Sequence, residues 1–491
     1  MLFNSYQFMV FFPVVLLIYY VIPRKLRMYW LLVASYYFYM GWNAKYAVLI
    51  AISTVVTFAS GILMERLGRK RWIMAASLVI NLGILFFFKY FNFVWTSLAA
   101  VLDAAGIRMT EKTIDVLLPV GISFYTFQAL GYTIDVYRDT VPAEKNLFRY
   151  ALFVSFFPQL VAGPIERSSS LLRQVDHVED LKLWNVDRIT DGAILMLWGF
   201  FQKLVIADRA AILVDLVYDG YKGFGSFELI LATVLFAVQI YCDFSSYSTI
   251  AVGAAKIMGF ELMENFDTPY FAGSIREFWR RWHVSLSGWF RDYLYIPLGG
   301  SRCSRAKKYR NIMITFLVSG LWHGAGWTYV IWGGLHGAYQ VAGDMLAGIR
   351  GSLWKRLGTR KDSLSFRLGK VLVTFVLVDF AWIFFRADSL AQAAGVIGRI
   401  FTGWDPWTLF DGTLYQLGLA VQEMHILATG IGILFLADLA RLRTGRRIEV
   451  LLKDEMLWFR WSVLLILLFM TVILGIYGPG FDAKAFIYFQ F

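Results

Sequence analysis

The 491-residue sequence is short of the residues on which most soluble chemistry depends. Its two cysteines, Cys242 and Cys303, lie far apart, which excludes a disulfide framework and a CxxC metal or redox motif. Five histidines are present, and none falls beside cysteine or carboxylate at metal-ligand spacing, so no metal site is expected. GxSxG, HExxH and the phosphate-cradling P-loop are missing, which removes motif support for covalent serine hydrolysis, zinc chemistry and nucleotide hydrolysis. Charge is also scarce. Asp, Glu, Lys and Arg supply 17% of residues against 58% apolar ones, too little to cover a soluble protein with polar surface. Internal repeats, low-complexity runs and β-barrel alternation are lacking, so a single membrane domain over residues 1–491 is expected. The opening MLFNSYQ has no basic n-region and no small-residue cleavage site follows it, so it reads as entry into a retained first span.

What is present is a succession of apolar runs, enough for roughly 11–13 membrane helices plus interfacial and re-entrant segments, an all-α polytopic membrane protein. The net charge of +12 gathers in short loops beside those runs: Arg24–Arg27, Glu65–Arg71, Ser301–Arg310 and Arg441–Arg447. This positive-inside pattern places those loops in the cytoplasm and both termini outside, and it argues for membrane lipids as neighbours rather than nucleic acid. Spans are expected at Phe8–Ile22, Met28–Trp42, Ala47–Met64 and Trp72–Phe88, after which Phe91–Leu102 is short and reads as interfacial or re-entrant. Val116–Ile134 carries Ser123, Tyr125, Thr126 and Gln128, polar groups that should face protein or a cavity. In Asp191–Ile206, Lys203 can snorkel towards the interface. Phe227–Met258 is long for one untilted helix and holds Asp243 near its middle, in YCDFSSYS. Asp243 there either caps a second helical segment after a break or meets a reacting group.

The stretch Asn311–Gln340 places His323 and His336 among almost uncharged residues. A ring nitrogen buried in hydrocarbon must be hydrogen-bonded or used, so intramembrane histidines are functional candidates. Gly320, Gly324 and Gly326 flank His323, and Gly333, Gly334 and Gly337 surround His336, which lets backbone or substrate approach both rings. A neutral imidazole, with an ordinary pKa near ~6.5, suits deprotonation of a hydroxyl that attacks an activated acyl group. An interhelical hydrogen bond is the structural alternative. His336 lies roughly 220° further round an ideal helix, so it should occupy a different cavity and, like His425, serve structure. Upstream, Ser274–Ile296 shows apolar residues at helical spacing, Arg276 and Arg280 one turn apart, and Glu277 placed to pair with Arg281. That describes one helix lying in the interface. Its arginines and rings could hold the phosphates and base of a CoA thioester, or simply form an interface anchor.

Four motifs, VAGPIER (Val161–Arg167), YCDFSSY (Tyr241–Tyr247), the run from NFDTPYF through RRWHVSLSGWFRDYLYIPLGG (Asn265–Gly300) and SGLWHG (Ser319–Gly324), resemble in this order the membrane-bound O-acyltransferase family, in its bacterial alginate O-acetyltransferase branch. The resemblance extends from near the N-terminus to at least Arg386, and after about Trp404 it is mainly one of hydropathy. It implies a helical bundle pierced by a central tunnel, with acetyl-CoA as a cytosolic donor substrate and no tightly bound cofactor. It also implies a bacterial inner-membrane location, a periplasmic or anchored SGNH-hydrolase-like partner and a polysaccharide acceptor. The family's near-invariant histidine falls on His323, and its second polar position falls on His283. Asp243, Ser245, Ser246 and Trp322 are then expected to line the tunnel, and Arg280 and Arg281 to meet the donor. The rival readings are a transporter or flippase, which would use the same intramembrane charges, and a scaffold for a polysaccharide synthase.

Overall fold

The computed structural model describes residues 1–107, 113–114 and 118–477, and among them every regular element is helical. The chain divides into two compact units, Met1–Ala193 with Ala251–Met263, and Ile194–Ile250 with Glu264–Phe491.

The first unit holds α1 (Tyr6–Val21), α2 (Arg27–Met40), α3 (Ala47–Leu67), α4 (Lys70–Ala104), α5 (Ile122–Tyr137) and α6 (Leu147–Ser155). Ser5 starts α1 by accepting a hydrogen bond from the Phe8 amide, one of the donors a helix N-terminus leaves unsatisfied. α4 corrects an expectation. Trp72–Phe88 and Phe91–Leu102 are not separate elements; a π-helical turn at Phe86–Tyr90 carries the helix through both. No proline or glycine stands at that junction to break it. The expected helix at Val116–Ile134 begins at Ile122, and residues 115–117 lie outside the described residues. Its polar residues are buried in protein as expected, Gln128 donating to the Phe153 carbonyl at 2.6 Å. Hydrogen bonds between helices join this core, Ser53 to Asn81 at 2.6 Å and Tyr150 to Thr57 at 2.7 Å. In lipid, where no hydrophobic force drives helices together, such bonds and close packing supply the cohesion.

The second unit contains the C-terminal half of α7 (Val186–Phe201), which continues as a π-helical stretch at Gln202–Ala207, then α8 (Asp208–Asp219) and most of α9 (Ser226–Met258). After these come α10 (Ile275–Arg281), α11 (Val284–Phe290), α12 (Arg305–His323), α13 (Trp327–Met345), α14 (Leu364–Arg386), α15 (Val421–Thr444) and α16 (Leu457–Leu474). α9 shows no break at Asp243. It is a single 33-residue helix, buried over 72% of its apolar stretch, so its polar residues meet protein and need no helix end to satisfy them.

Six helices among the described residues are long and apolar enough to cross a membrane, against the dozen or so suggested by the apolar runs. The difference has physical causes. Two runs fuse in α4, α1 is only 16 residues long, and α12 carries five Arg or Lys residues' worth of charge in its opening turns and preceding loop, at Arg302, Arg305, Lys307, Lys308 and Arg310. The basic stretch expected as a loop, Ser301–Arg310, is therefore loop only as far as Ser304.

Candidate active site

Every residue of the site described here belongs to the second unit. His323 is the last residue of α12. Gly324 and Gly326 follow in extended conformations and turn the chain into α13, so Asn311–Gln340 is a helical hairpin and not one span. The two helices touch at glycines. A Cβ on Gly333 would stand 2.2 Å from the Phe316 carbonyl oxygen and 3.0 Å from the Gly320 Cα. Gly320 and Gly333 thus serve close backbone approach between the helices, whereas Gly324, Gly326, Gly334 and Gly337 face side chains. The hairpin also overturns the idealised-helix argument that separated His336 from His323: both rings pack on Trp332, with centroids 4.9 Å from His323 and 5.1 Å from His336.

The expected interfacial helix over Ser274–Ile296 is likewise two helices. α10 begins with Ser274 accepting from the Glu277 amide, while Glu277 accepts from the Gly273 amide at 2.9 Å and pairs with Arg281 at 2.8 Å, the partnership expected from i,i+4 spacing. α10 ends at Arg281, and His283 takes a left-handed conformation with φ +43° and ψ +56°. A non-glycine residue in that region costs free energy of order ~1–3 kcal/mol and persists only when its surroundings fix it. Asn265 provides the fixing: its carbonyl accepts from the Val284 amide at 3.0 Å and its Oδ1 from the Ser285 amide at 3.2 Å. The aromatic side of the segment meets protein, Phe278, Trp279, Trp282, His283, Leu286, Trp289 and Phe290 all being buried, while Arg276 and Arg280 stay exposed on α10, the two-faced pattern that the helical spacing predicts.

This turn presents His283 to His323. Their ring centroids lie 6.2 Å apart, and both imidazoles are buried. Trp322 stands against both, 5.9 Å from His283 and 5.0 Å from His323, while Phe244 closes on His283 at 4.6 Å and Phe385 on His323 at 5.6 Å. Burial pushes the His283 imidazole down to about 3, so it is neutral over the ordinary pH range. The helix ends differ in sign. His323 sits at the carbonyl end of a 19-residue helix, which favours a positive charge, and His283 precedes the amide end of α11.

The remaining expected site residues meet varied surroundings. Asp243 neither caps a helix nor lies open. Its Oδ1 is 2.5 Å from Lys203 Nζ, which also lies 2.7 Å from Asp208 Oδ1, so Lys203 is buried between two carboxylates and does not snorkel. Ser246 donates to the Asp243 carbonyl at 2.7 Å, within its own helix, whereas Ser245 is buried with no hydrogen-bond partner for its hydroxyl among the described residues. Arg280 is exposed; Arg281 is half-buried and donates to Thr268 Oγ1 at 2.8 Å. Sequence reasoning missed Lys203, Phe244, Asn265, Trp332 and Phe385. Phe244 and Asn265 sit inside quoted motifs, which was a usable signal, but nothing local marks Phe385 or the pairing of Lys203 with Asp243. Among the described residues, no three His, Cys, Asp or Glu side chains come together as metal ligands would.

Comparison with known proteins gives the family. The profile of the membrane-bound O-acyltransferase family matches residues 141–351, a stretch that includes His283 and His323. The chain is 37% identical over 506 aligned residues to the probable alginate O-acetylase AlgI of Pseudomonas putida, with 100% of both chains covered. It is 39% identical over 439 residues to the protein of the same name in Pseudomonas aeruginosa, covering 87% of this chain and 81% of that one. A peptidoglycan O-acetyltransferase of Helicobacter pylori is 33% identical over 433 residues, covering 81% and 79%. The alignment with the Pseudomonas putida protein runs through the segment beyond Trp404, where motif reading finds mainly hydropathy. The chain belongs to the membrane-bound O-acyltransferase family and is a multi-pass membrane O-acyltransferase.

Proposed function

We propose that this protein moves acetyl groups from cytosolic acetyl-CoA across the bacterial inner membrane for O-acetylation of an exported polysaccharide such as alginate, with His323 as general base. The observation that carries the reading is the placing of His323 and His283 side by side in a buried aromatic enclosure, 6.2 Å between ring centroids with the ring planes inclined at 64°. The names of relatives aligned over most or all of this chain, alginate O-acetylase and peptidoglycan O-acetyltransferase, support acetyl as the group and a cell-surface or exported polymer as the final acceptor.

In this reading the base accepts the proton of an attacking hydroxyl while that oxygen forms a bond to the thioester carbonyl carbon. The C–S bond then breaks, the CoA thiolate leaves, and the imidazolium returns the proton to sulfur. The products are an ester and free CoA thiol, so the step balances without a bound cofactor. The carbonyl end of α12 stabilises the imidazolium as it forms, and the aromatic walls exclude water that would hydrolyse the thioester. His283, kept neutral by burial, assists by hydrogen bonding and not by proton transfer. The hydroxyl belongs to the acceptor or to a periplasmic SGNH-hydrolase-like partner that completes delivery. Asp243, Ser245, Ser246 and Trp322 shape the donor's path, Asp243 through its bond to Lys203.

The test is incubation of purified protein with radiolabelled acetyl-CoA, following thioester loss and the fate of the label, with the partner and alginate supplied. Release of CoA thiol matched by acetyl esters is expected. A donor left intact under those conditions, with the protein folded, would overturn the reading in favour of transport or scaffolding.

A further inference from the structure

Trp279 of α10 and His336 of α13 are both buried, and the Trp279 indole N–H donates to His336 Nδ1 at 3.1 Å. Accepting at Nδ1 leaves the ring proton on Nε2, so the bond requires a neutral imidazole. The ring plane is set by Phe278, stacked within 6° at 6.1 Å, and by Phe316, stacked within 25° at 6.3 Å. One turn before His336 on the same helix, Trp332 lies 5.1 Å from His336, 5.6 Å from Trp279 and 4.9 Å from His323. The hydrogen bond therefore ties the element that leads to His283 to the element that supports His323 from its side. α10 leads within four residues to His283, and α13 carries the Trp332 ring on which His323 rests.

We propose that the Trp279–His336 hydrogen bond is a strut that sets the spacing of His283 and His323, making Trp279 and His336 positioning residues for acyl transfer. The proposal rests on the catalytic reading of His323 given above. Asn265 holds the backbone of His283 from one side; the strut holds α10 from the other. Catalytic groups need geometry fixed to a fraction of an ångström by such supports. Without the bond, α10 can slide on the hairpin and His283 leaves its place, while the donor still binds.

The experiment compares kcat and donor KM for Trp279→Phe, His336→Phe, His336→Asn and the Trp279→Phe/His336→Phe double variant. Each Phe variant should lose roughly tenfold in kcat, since small misplacement alone is costly, with KM little changed. The double variant should be no worse than either single one, because both remove the same bond. His336→Asn should recover most of the loss, because its Oδ1 supplies an acceptor at the place of Nδ1. His336→Gln, with its acceptor one bond further out, should not. Asn against Gln keeps the test decisive if the Phe variants fail to accumulate. Full kcat in His336→Phe, additive losses in the double variant, or equal activities of the Asn and Gln variants would overturn the strut. His323→Ala in the same assay separates the two ideas: its inactivity beside a fully active His336→Phe ends the strut alone, and its full activity ends the catalytic reading itself.

Discussion

Arg280 and Arg281 are neighbours in sequence with different work to do. Arg281 is engaged twice, with Glu277 at 2.8 Å and Thr268 Oγ1 at 2.8 Å, and so fastens α10 to the Asn265–Thr268 segment that holds His283. Arg280 is exposed on the same helix. Arg280→Ala should therefore raise the donor's KM more than it lowers kcat, whereas Arg281→Ala should lower kcat and melting temperature as well. Steady-state kinetics and detergent melting curves check this; an unchanged KM in Arg280→Ala would remove it from the donor site. The Glu277–Arg281 pair was legible because helical spacing alone predicts it. The left-handed turn at His283 was not, since Ser274–Ile296 keeps its helical period across the break and only Asn265, from outside that stretch, selects the turn. Lys203 was misread for a similar reason, its partner Asp243 lying on another helix 40 residues away.

At the scale of elements, the hairpin of α12 and α13 is what gives His323 its place, and its glycines divide into two kinds. A Cβ on Gly333 would collide with the Phe316 carbonyl oxygen at 2.2 Å, whereas one on Gly334 would meet the Leu317 side chain at an ordinary 3.5 Å. Gly333→Ala should accordingly cost about 1–3 kcal/mol of stability, the usual penalty for overpacking, and depress activity by shifting His323. Gly334→Ala should melt and work like wild type. Equal melting temperatures for the two variants would refute the close crossing. The sequence marked these glycines as places of near approach, and the pair Gly324 and Gly326 directly after His323 was a helix-stop signal passed over. Phe385, which completes the wall beside His323, comes from a helix 62 residues on by the numbering, and no local pattern could reveal it.

At the scale of the whole molecule, the class was plain from composition. A chain with 58% apolar residues and charge gathered into short loops has little choice but the membrane. Which charged loop meets which was not plain. Arg441 of α15 binds Glu264 at 2.5 Å and Asp267 at 2.9 Å, and Asp438 accepts from the Tyr241 hydroxyl at 3.0 Å, so the C-terminal region braces the site's scaffold although no motif marks it. Orientation is open to a direct test, because Cys242 is buried and Cys303 is partly exposed beside the basic start of α12. With cytosolic donor entry, Cys303 and an engineered Ser304→Cys should resist a membrane-impermeant maleimide in intact cells and react in inverted vesicles. Labelling in intact cells would contradict entry of acetyl-CoA on that side.

The central claim is that His323 is the base. In the acetyl-CoA assay at saturating donor, His323→Ala should insert and melt like wild type and lose acyl transfer by ~10²-fold or more, as expected when a positioned general base is removed. Losing an interhelical hydrogen bond typically costs only ~0.6 kcal/mol, so a structural histidine would leave activity nearly intact or take stability down with it. Wild-type transfer by a well-folded His323→Ala protein would contradict the account.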